Sequence, residues 1–234
     1  MNKVFSNPII LALDTSSLEA AKLIALKLKD HIGGFKIGME FFNSFGPDGI
    51  KIIQEFKIPI FLDLKLHDIP ATVYKTVSTL LTLNPAIINI HASGGREMMN
   101  AAFRARKDSN NKNTKIIAVT ILTSLDNNDL KEVGFSNTSN ELVLSLAKLT
   151  KDSGLDGIVC SAKEISTIRA AIGEDFLLVV PGIKVENDKL NDQKRTMTPK
   201  EAISEGADLL VIGRPITEAN DQVVALKKIL EQIK

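Results

Sequence analysis

The chain has 234 residues, 44% of them hydrophobic and 24% charged, and its 29 basic and 28 acidic side chains leave a net charge of +1. That balance offers no electrostatic footprint for nucleic acid or an anionic membrane surface, and no apolar run reaches membrane-spanning length. A single cysteine, Cys160, excludes an intrachain disulfide, and Met1-Asn2-Lys3-Val4 leads into a strand-like segment without a signal-peptide core, so a cytoplasmic protein is expected.

Strand-like and helix-like segments alternate along the whole sequence. Residues 9–13 read as a strand, and Asp14-Thr15-Ser16-Ser17 as a helix start leading into helical periodicity over 18–28. A short strand over 35–37 precedes a helix over 48–56. A strand over 60–64 precedes a helix over 71–83, and 87–90 a helix near 97–106. Strands over 116–120, 157–160 and 177–180 are followed by helices over 140–151, 163–172 and 199–204. A last strand, 209–212, is followed by a closing helix over 222–233. Alternation of this kind implies a parallel sheet, and eight units in one domain, 1–234, predict a (β/α)8 TIM barrel. The competing doubly wound sheet often carries a Gly-rich dinucleotide turn after its first strand, where this chain has Asp-Thr-Ser-Ser.

The most informative stretch is Phe61-Leu62-Asp63-Leu64-Lys65-Leu66-His67-Asp68-Ile69-Pro70. Its strand is a short apolar run of the kind buried in parallel sheets, yet it ends in three charges. Asp63 and Lys65 are two apart, so strand alternation sends both side chains to one face. Burying such groups is costly unless they pair. Barrel active sites gather at the C-terminal ends of the strands, and the other strand ends supply Asp14, Lys36, Asn89 with His91, Thr120 with Thr123 and Ser124, Pro181-Gly182 and Gly213-Arg214. A salt-bridge network that merely closes the barrel mouth is one reading. A site whose titrating groups perturb one another is the favoured one. Gly213-Arg214, after the last strand, suits a phosphate, because glycine lets backbone N–H groups approach an anion and arginine binds it bidentately. The polar loop over 183–197 is long enough to act as a binding loop. His31, His67 and His91 show no metal-ligand spacing, Cys160 reads as core and Met98-Met99 as packing. Glu40 reads equally as a partner for a site lysine or as a solvated helix-start residue.

These residues resemble the orotidine 5′-phosphate decarboxylase family, whose signature D-x-K-x-x-D-I stands here as Asp63-Leu64-Lys65-Leu66-His67-Asp68-Ile69. The resemblance runs along nearly the whole chain. It includes Leu11-Ala12-Leu13-Asp14, Phe35-Lys36-Ile37-Gly38-Met39-Glu40, Asn89-Ile90-His91-Ala92-Ser93-Gly94-Gly95, Leu122-Thr123-Ser124, Val180-Pro181-Gly182-Ile183, Asn191-Asp192-Gln193 and Ile212-Gly213-Arg214-Pro215-Ile216. It is most similar to the bacterial branch. The resemblance implies conversion of orotidine 5′-phosphate to UMP by a homodimer with shared active sites, without metal or organic cofactor. It implies that Lys65 stabilises charge at C6 of the pyrimidine and protonates it, with Asp63 beside the scissile carboxylate. Lys36 and Asp14 would contact ribose hydroxyls and complete the charge array, while Asp68, Ile69 and Thr72 would reach the neighbouring subunit's site. Thr123 and Ser124 would lie at the pyrimidine edge and Pro181 at the substrate. Gln193, Arg214 and backbone N–H groups near Gly213 would hold the phosphate. Two other readings stay open. One is a related phosphate-binding barrel lyase or aldolase, such as a keto-gulonate-phosphate decarboxylase, which also carries Asp-x-Lys-x-x-Asp but uses Mg2+ and an enediolate. The other is a catalytically silent nucleotide sensor, against which the intact Asp63, Lys65 and Asp68 set argues.

Overall fold

Short apolar runs rich in Ile, Val and Leu are too brief for helices and too apolar for an exposed sheet, and they form the strands. The structure is a computed structural model that describes residues 4–185 and 197–233. Its strands are β1 (Ile9–Ala12), β2 (Gly34–Ile37), β3 (Ile60–Leu66), β4 (Ile87–His91), β5 (Lys115–Val119), β6 (Gly157–Val159), β7 (Leu177–Val180) and β8 (Leu209–Ile212). Each pairs in parallel with its sequence neighbour, and β8 closes the barrel on β1 through Ile10 opposite Val211. The predicted (β/α)8 architecture is therefore present.

Alternation along the strands divides the core in two. Ile10, Phe61, Ile87, Ile117, Val179 and Leu209 form an interior plug. Residues of the opposite parity, such as Ile9, Leu11, Leu62, Ile88 and Ile116, belong to the larger outer layer shared with the helices. Each fully buried aliphatic or phenyl side chain contributes about 1.5–3 kcal/mol by leaving water. The inward parity that places Ile10 and Phe61 in the plug also carries Lys36 and Asp63 inward, at its upper rim.

The outer layer comprises α1 (Leu18–Leu28), α2 (Met39–Gln54), α3 (Pro70–Leu81), α4 (Gly95–Asp108), α5 (Asn127–Glu132), α6 (Ser139–Asp152), α7 (Ile165–Ile172), α8 (Pro199–Ser204), α9 (Arg214–Thr217) and α10 (Gln222–Gln232). Side-chain caps set several starts. Ser17 Oγ accepts from the Ala20 N–H at α1, and Thr138 and Thr198 form capping boxes with Glu141 and Glu201 at α6 and α8. Besides the short α9, two helical stretches extend beyond the sequence expectation. α2 begins at Met39 rather than near 48, because Gly46 (φ 57°, ψ −155°) turns the chain between two helical segments and Pro47 opens the second. α5 stands in a polar stretch that lacks apolar periodicity. Its start is marked instead by the reciprocal Asp126 and Asp129 capping box.

The end of the barrel opposite the site is tied by structural ion pairs. Asp156 takes Arg106 and Lys115 (3.1 Å for the latter) and accepts the Ile116 N–H. Arg169 bonds Asp208 at 2.7 Å and the carbonyls of Gly206 and Phe176. Asp156 and Asp208 stand just before β6 and β8, on the face that serves stability in such barrels.

Candidate active site

At the C-terminal ends of the strands, β1, β2 and β3 deliver an alternating row of charge. Lys36 Nζ lies 3.1 Å from Asp14 Oδ1 and 3.2 Å from Asp63 Oδ2, and Lys65 Nζ lies 2.7 Å from Asp63 Oδ1. Asp63 is 7% exposed. Burial alone would raise its carboxyl pKa, but Lys36 and Lys65 outweigh that and hold it below the ordinary aspartate value. Burial likewise works against the Lys36 ammonium, yet Asp63 and Asp14 together push its pKa above the ordinary lysine value. Both groups are therefore charged at neutral pH. Gly38 leaves room at the edge of this row, where a Cβ would stand a tight 3.1 Å from both Asp14 Oδ1 and Lys36 Nζ.

Asp63 and Lys65 meet, but not by simple strand alternation. Leu62 pairs with Ile88 while Leu66 pairs with Ile90, so β3 bulges between them against β4. Lys65 sits in the bulge at φ 52°, a left-handed backbone that costs a non-glycine residue about 1–3 kcal/mol. Asn89, fully buried on β4, joins the two parts. Its Nδ2 donates to Asp63 Oδ1 at 2.6 Å and its Oδ1 accepts the Lys65 backbone N–H at 2.8 Å. Next to it, the His67 and His91 rings stack with centroids 5.3 Å apart. Burial, then the neighbouring His67 and Lys65, lowers the His91 pKa, against a smaller pull from Asp63.

The charge row forms one wall of a cavity of about 570 Å3. Asp14, Lys36, Asp63, Lys65, Thr123, Ser124, Pro181, Gly213 and Arg214, all site candidates from the sequence, line it. Phe61, Ile121 and Val159 give it an apolar floor and side, and Glu40 and Glu218 stand at its edge. Glu40 makes no ion pair among the described residues. Thr123 is buried and Ser124 exposed. The chamber thus offers a charged wall, an apolar slot, and an arginine just after β8.

Three candidates do not line this cavity. Asp68, Ile69 and Thr72 lie on the exposed stretch from β3 into α3, where Ile69 is 67% exposed. The Asp68 carboxylate accepts the Ile69 N–H at 2.7 Å and forms no ion pair among the described residues. Gln193 lies outside the described residues, as does most of the long polar loop. Asn89 was visible as a polar strand end, yet composition and spacing attach no role to it. Its signal is inward parity on an otherwise apolar strand. Among the described residues, no group of three or more His, Cys, Asp and Glu side chains is arranged to hold a metal ion, and no helix is long and apolar enough to cross a membrane.

Known proteins share this barrel. The family model described as Orotidine 5′-phosphate decarboxylase / HUMPS family matches residues 7–229. The chain belongs to that family. An orotidine 5′-phosphate decarboxylase of Sphingopyxis alaskensis is 47% identical over 224 residues, covering 96% of this chain and 98% of that protein. One of Rhodospirillum rubrum is 46% identical over 238 residues, covering 100% and 96%. The crystal structure of orotidine 5′-phosphate decarboxylase from Lactobacillus acidophilus superposes with a TM-score of 0.86 at 38% identity, covering 98% of this chain and 100% of that one. These matches run over nearly the whole length of each chain, so the family likeness extends over the entire barrel.

Proposed function

We propose that decarboxylation of orotidine 5′-phosphate to UMP, the reaction of this enzyme in pyrimidine biosynthesis, takes place against the Asp14–Lys36–Asp63–Lys65 row, with one barrel unit of residues 1–234 per site. The observation that carries the assignment is the Lys65 ammonium held at 2.7 Å from a buried carboxylate on the cavity wall. Loss of CO2 breaks the C6–carboxylate bond and leaves its electron pair on C6, in a ring that gives the charge little resonance relief. A cation already fixed beside that carbon stabilises the developing charge without reorganising at the moment of reaction. Lys65 then transfers a proton to C6, which yields UMP, and the neutral amine regains its proton from water. Asp63 orients the ammonium, and Lys36 anchors Asp63 from its other oxygen.

In this reading Lys36 and Asp14 also bind the ribose hydroxyls, Thr123 and Ser124 the pyrimidine edge, and Pro181 the ring's surroundings. Arg214, the Gly213 N–H and Gln193 hold the phosphate. The phosphate is remote from the bond that breaks, so its binding energy serves to position the ring and close the site. The role of a catalytic cation falls to Lys65, and no metal or organic cofactor enters the scheme. We further assign the exposed Asp68, Ile69 and Thr72 to the neighbouring site of a homodimer, because that segment leaves β3 beside Lys65 yet turns away from its own cavity. A lone, buried Cys160 suits the cytoplasm.

Incubation with orotidine 5′-phosphate in EDTA, followed for UMP, tests the assignment. Turnover is expected. Its absence, with activity appearing only on Mg2+ and a sugar phosphate, would move the chain to the metal-dependent branch of the family. Sharing is tested separately by mixing Lys65→Ala and Asp68→Ala chains. Subunit exchange should regenerate one intact site per heterodimer, whereas a mixture no more active than its parts would refute sharing.

A further inference from the structure

We propose that Asn89 is a positioning residue for the decarboxylation, holding the Lys65 backbone and the Asp63 carboxylate in one rigid unit. The inference rests on the functional reading above and deepens it. Neither end of the Asn89 amide is interchangeable. Nδ2 faces the Asp63 carboxylate, which only accepts, and Oδ1 faces the Lys65 N–H, which only donates. One amide orientation alone satisfies both.

The Lys65 N–H has lost its ladder position, because β3 bulges away from β4 between Leu62 and Leu66. A buried N–H without a partner is disfavoured, and the left-handed φ of 52° adds strain at the same residue. The Asn89 carbonyl relieves the first and so stabilises the second. At its other end, the amide shares Asp63 Oδ1 with the Lys65 ammonium, at 2.6 and 2.7 Å. Backbone and side-chain tip of one lysine are thus referenced to a single neighbour on the adjacent strand. The bulge and the strained turn set where the ammonium points, and Asn89 holds both.

Only a neutral group with one donor and one acceptor performs this role. Asn89→Ala removes both contacts, and loss of alignment at the ammonium is expected to lower kcat about 100-fold. UMP affinity should stay within about threefold, since the lost interaction is one made in the transition state. Asn89→Asp supplies a sharper readout. Its carboxylate, facing Asp63 with Lys36, Lys65 and His91 nearby, can imitate the amide only when protonated, with the O–H toward Asp63 and the carbonyl toward the Lys65 N–H. The ratio of its kcat to that of the wild type should therefore rise as pH falls from 8 to 5, at pH values where circular dichroism shows the fold intact. That ratio would stay flat if Asn89 merely filled space.

The wild type is assayed for UMP formation alongside. An inert wild type overturns both the functional reading and this inference. An active wild type with an Asn89→Ala kcat within threefold, or a pH-independent Asn89→Asp ratio, overturns the inference alone.

Discussion

Replacing Asp63 by Asn keeps shape and removes one charge, and it tests whether the buried row stabilises the barrel or burdens it. Asp63 meets Lys36 at 3.2 Å and Lys65 at 2.7 Å. At an effective dielectric of about 20, each attraction is about 5–6 kcal/mol before desolvation is subtracted. The variant leaves Lys36 with Asp14, whose side chain is 52% exposed, as its remaining ion-pair partner among the described residues. Removing one member of a buried pair typically costs about 3–5 kcal/mol, and in a chain of this size each kcal/mol lowers Tm by about 2–4 °C. A loss of roughly 6–20 °C at neutral pH is expected in a calorimetric or circular-dichroism melt. The sign with pH follows from the depressed pKa. The contribution of Asp63 is fully present above the unfolded-state value of 3.8 and is lost as pH falls through the lower folded-state value. The stability gap between wild type and Asp63→Asn should therefore be level from about pH 8 to about pH 5 and close below about pH 4. A variant as stable as the wild type at pH 7 would show that burial of the carboxylate costs as much as its lysines return.

Two further outcomes follow from the same geometry. Arg214→Ala should weaken phosphate recognition by about 1.5–3 kcal/mol, roughly 10- to 150-fold in kcat/KM, with the effect shrinking on a substrate that lacks the phosphate; an equal loss on both substrates would remove Arg214 from the phosphate site. Thr138→Ala deletes the α6 cap, away from the cavity, and should cost about 1 kcal/mol, or about 2–4 °C in Tm, while leaving kcat unchanged.

The barrel was readable because alternating apolar runs and helical stripes are local signals, repeated eight times. The charge row was readable for a related reason: Asp14, Lys36 and Asp63 each stand at the end of an apolar strand, where an ionic group is costly to bury unless it pairs. The bulge at Lys65 was not readable. It depends on how β3 registers against β4, and its partner Asn89 lies 24 residues from Lys65 with no spacing rule linking them. The first half of α2 escaped because Gly46-Pro47 resembles a loop punctuation mark, although Phe41 and Phe45 already show helical spacing, with ring centroids 4.9 Å apart. Asp68, Ile69 and Thr72 mark the limit of a single chain. Their exposure is read from one chain, and the work proposed for them lies in a second copy of it.

The Lys65 ammonium is the group on which the proposed chemistry depends. The most direct measurement is the single-turnover rate of UMP formation by Lys65→Ala and Lys65→Gln with orotidine 5′-phosphate saturating. A cation about 4 Å from developing charge is worth about 4 kcal/mol at an effective dielectric of about 20, or about a thousandfold in rate. Loss of the proton donor adds about 100-fold or more. Both variants are therefore predicted to fall by at least about 10^5-fold while still binding UMP. A rate within tenfold of the wild type in either folded variant would contradict the claim that this lysine carries the reaction.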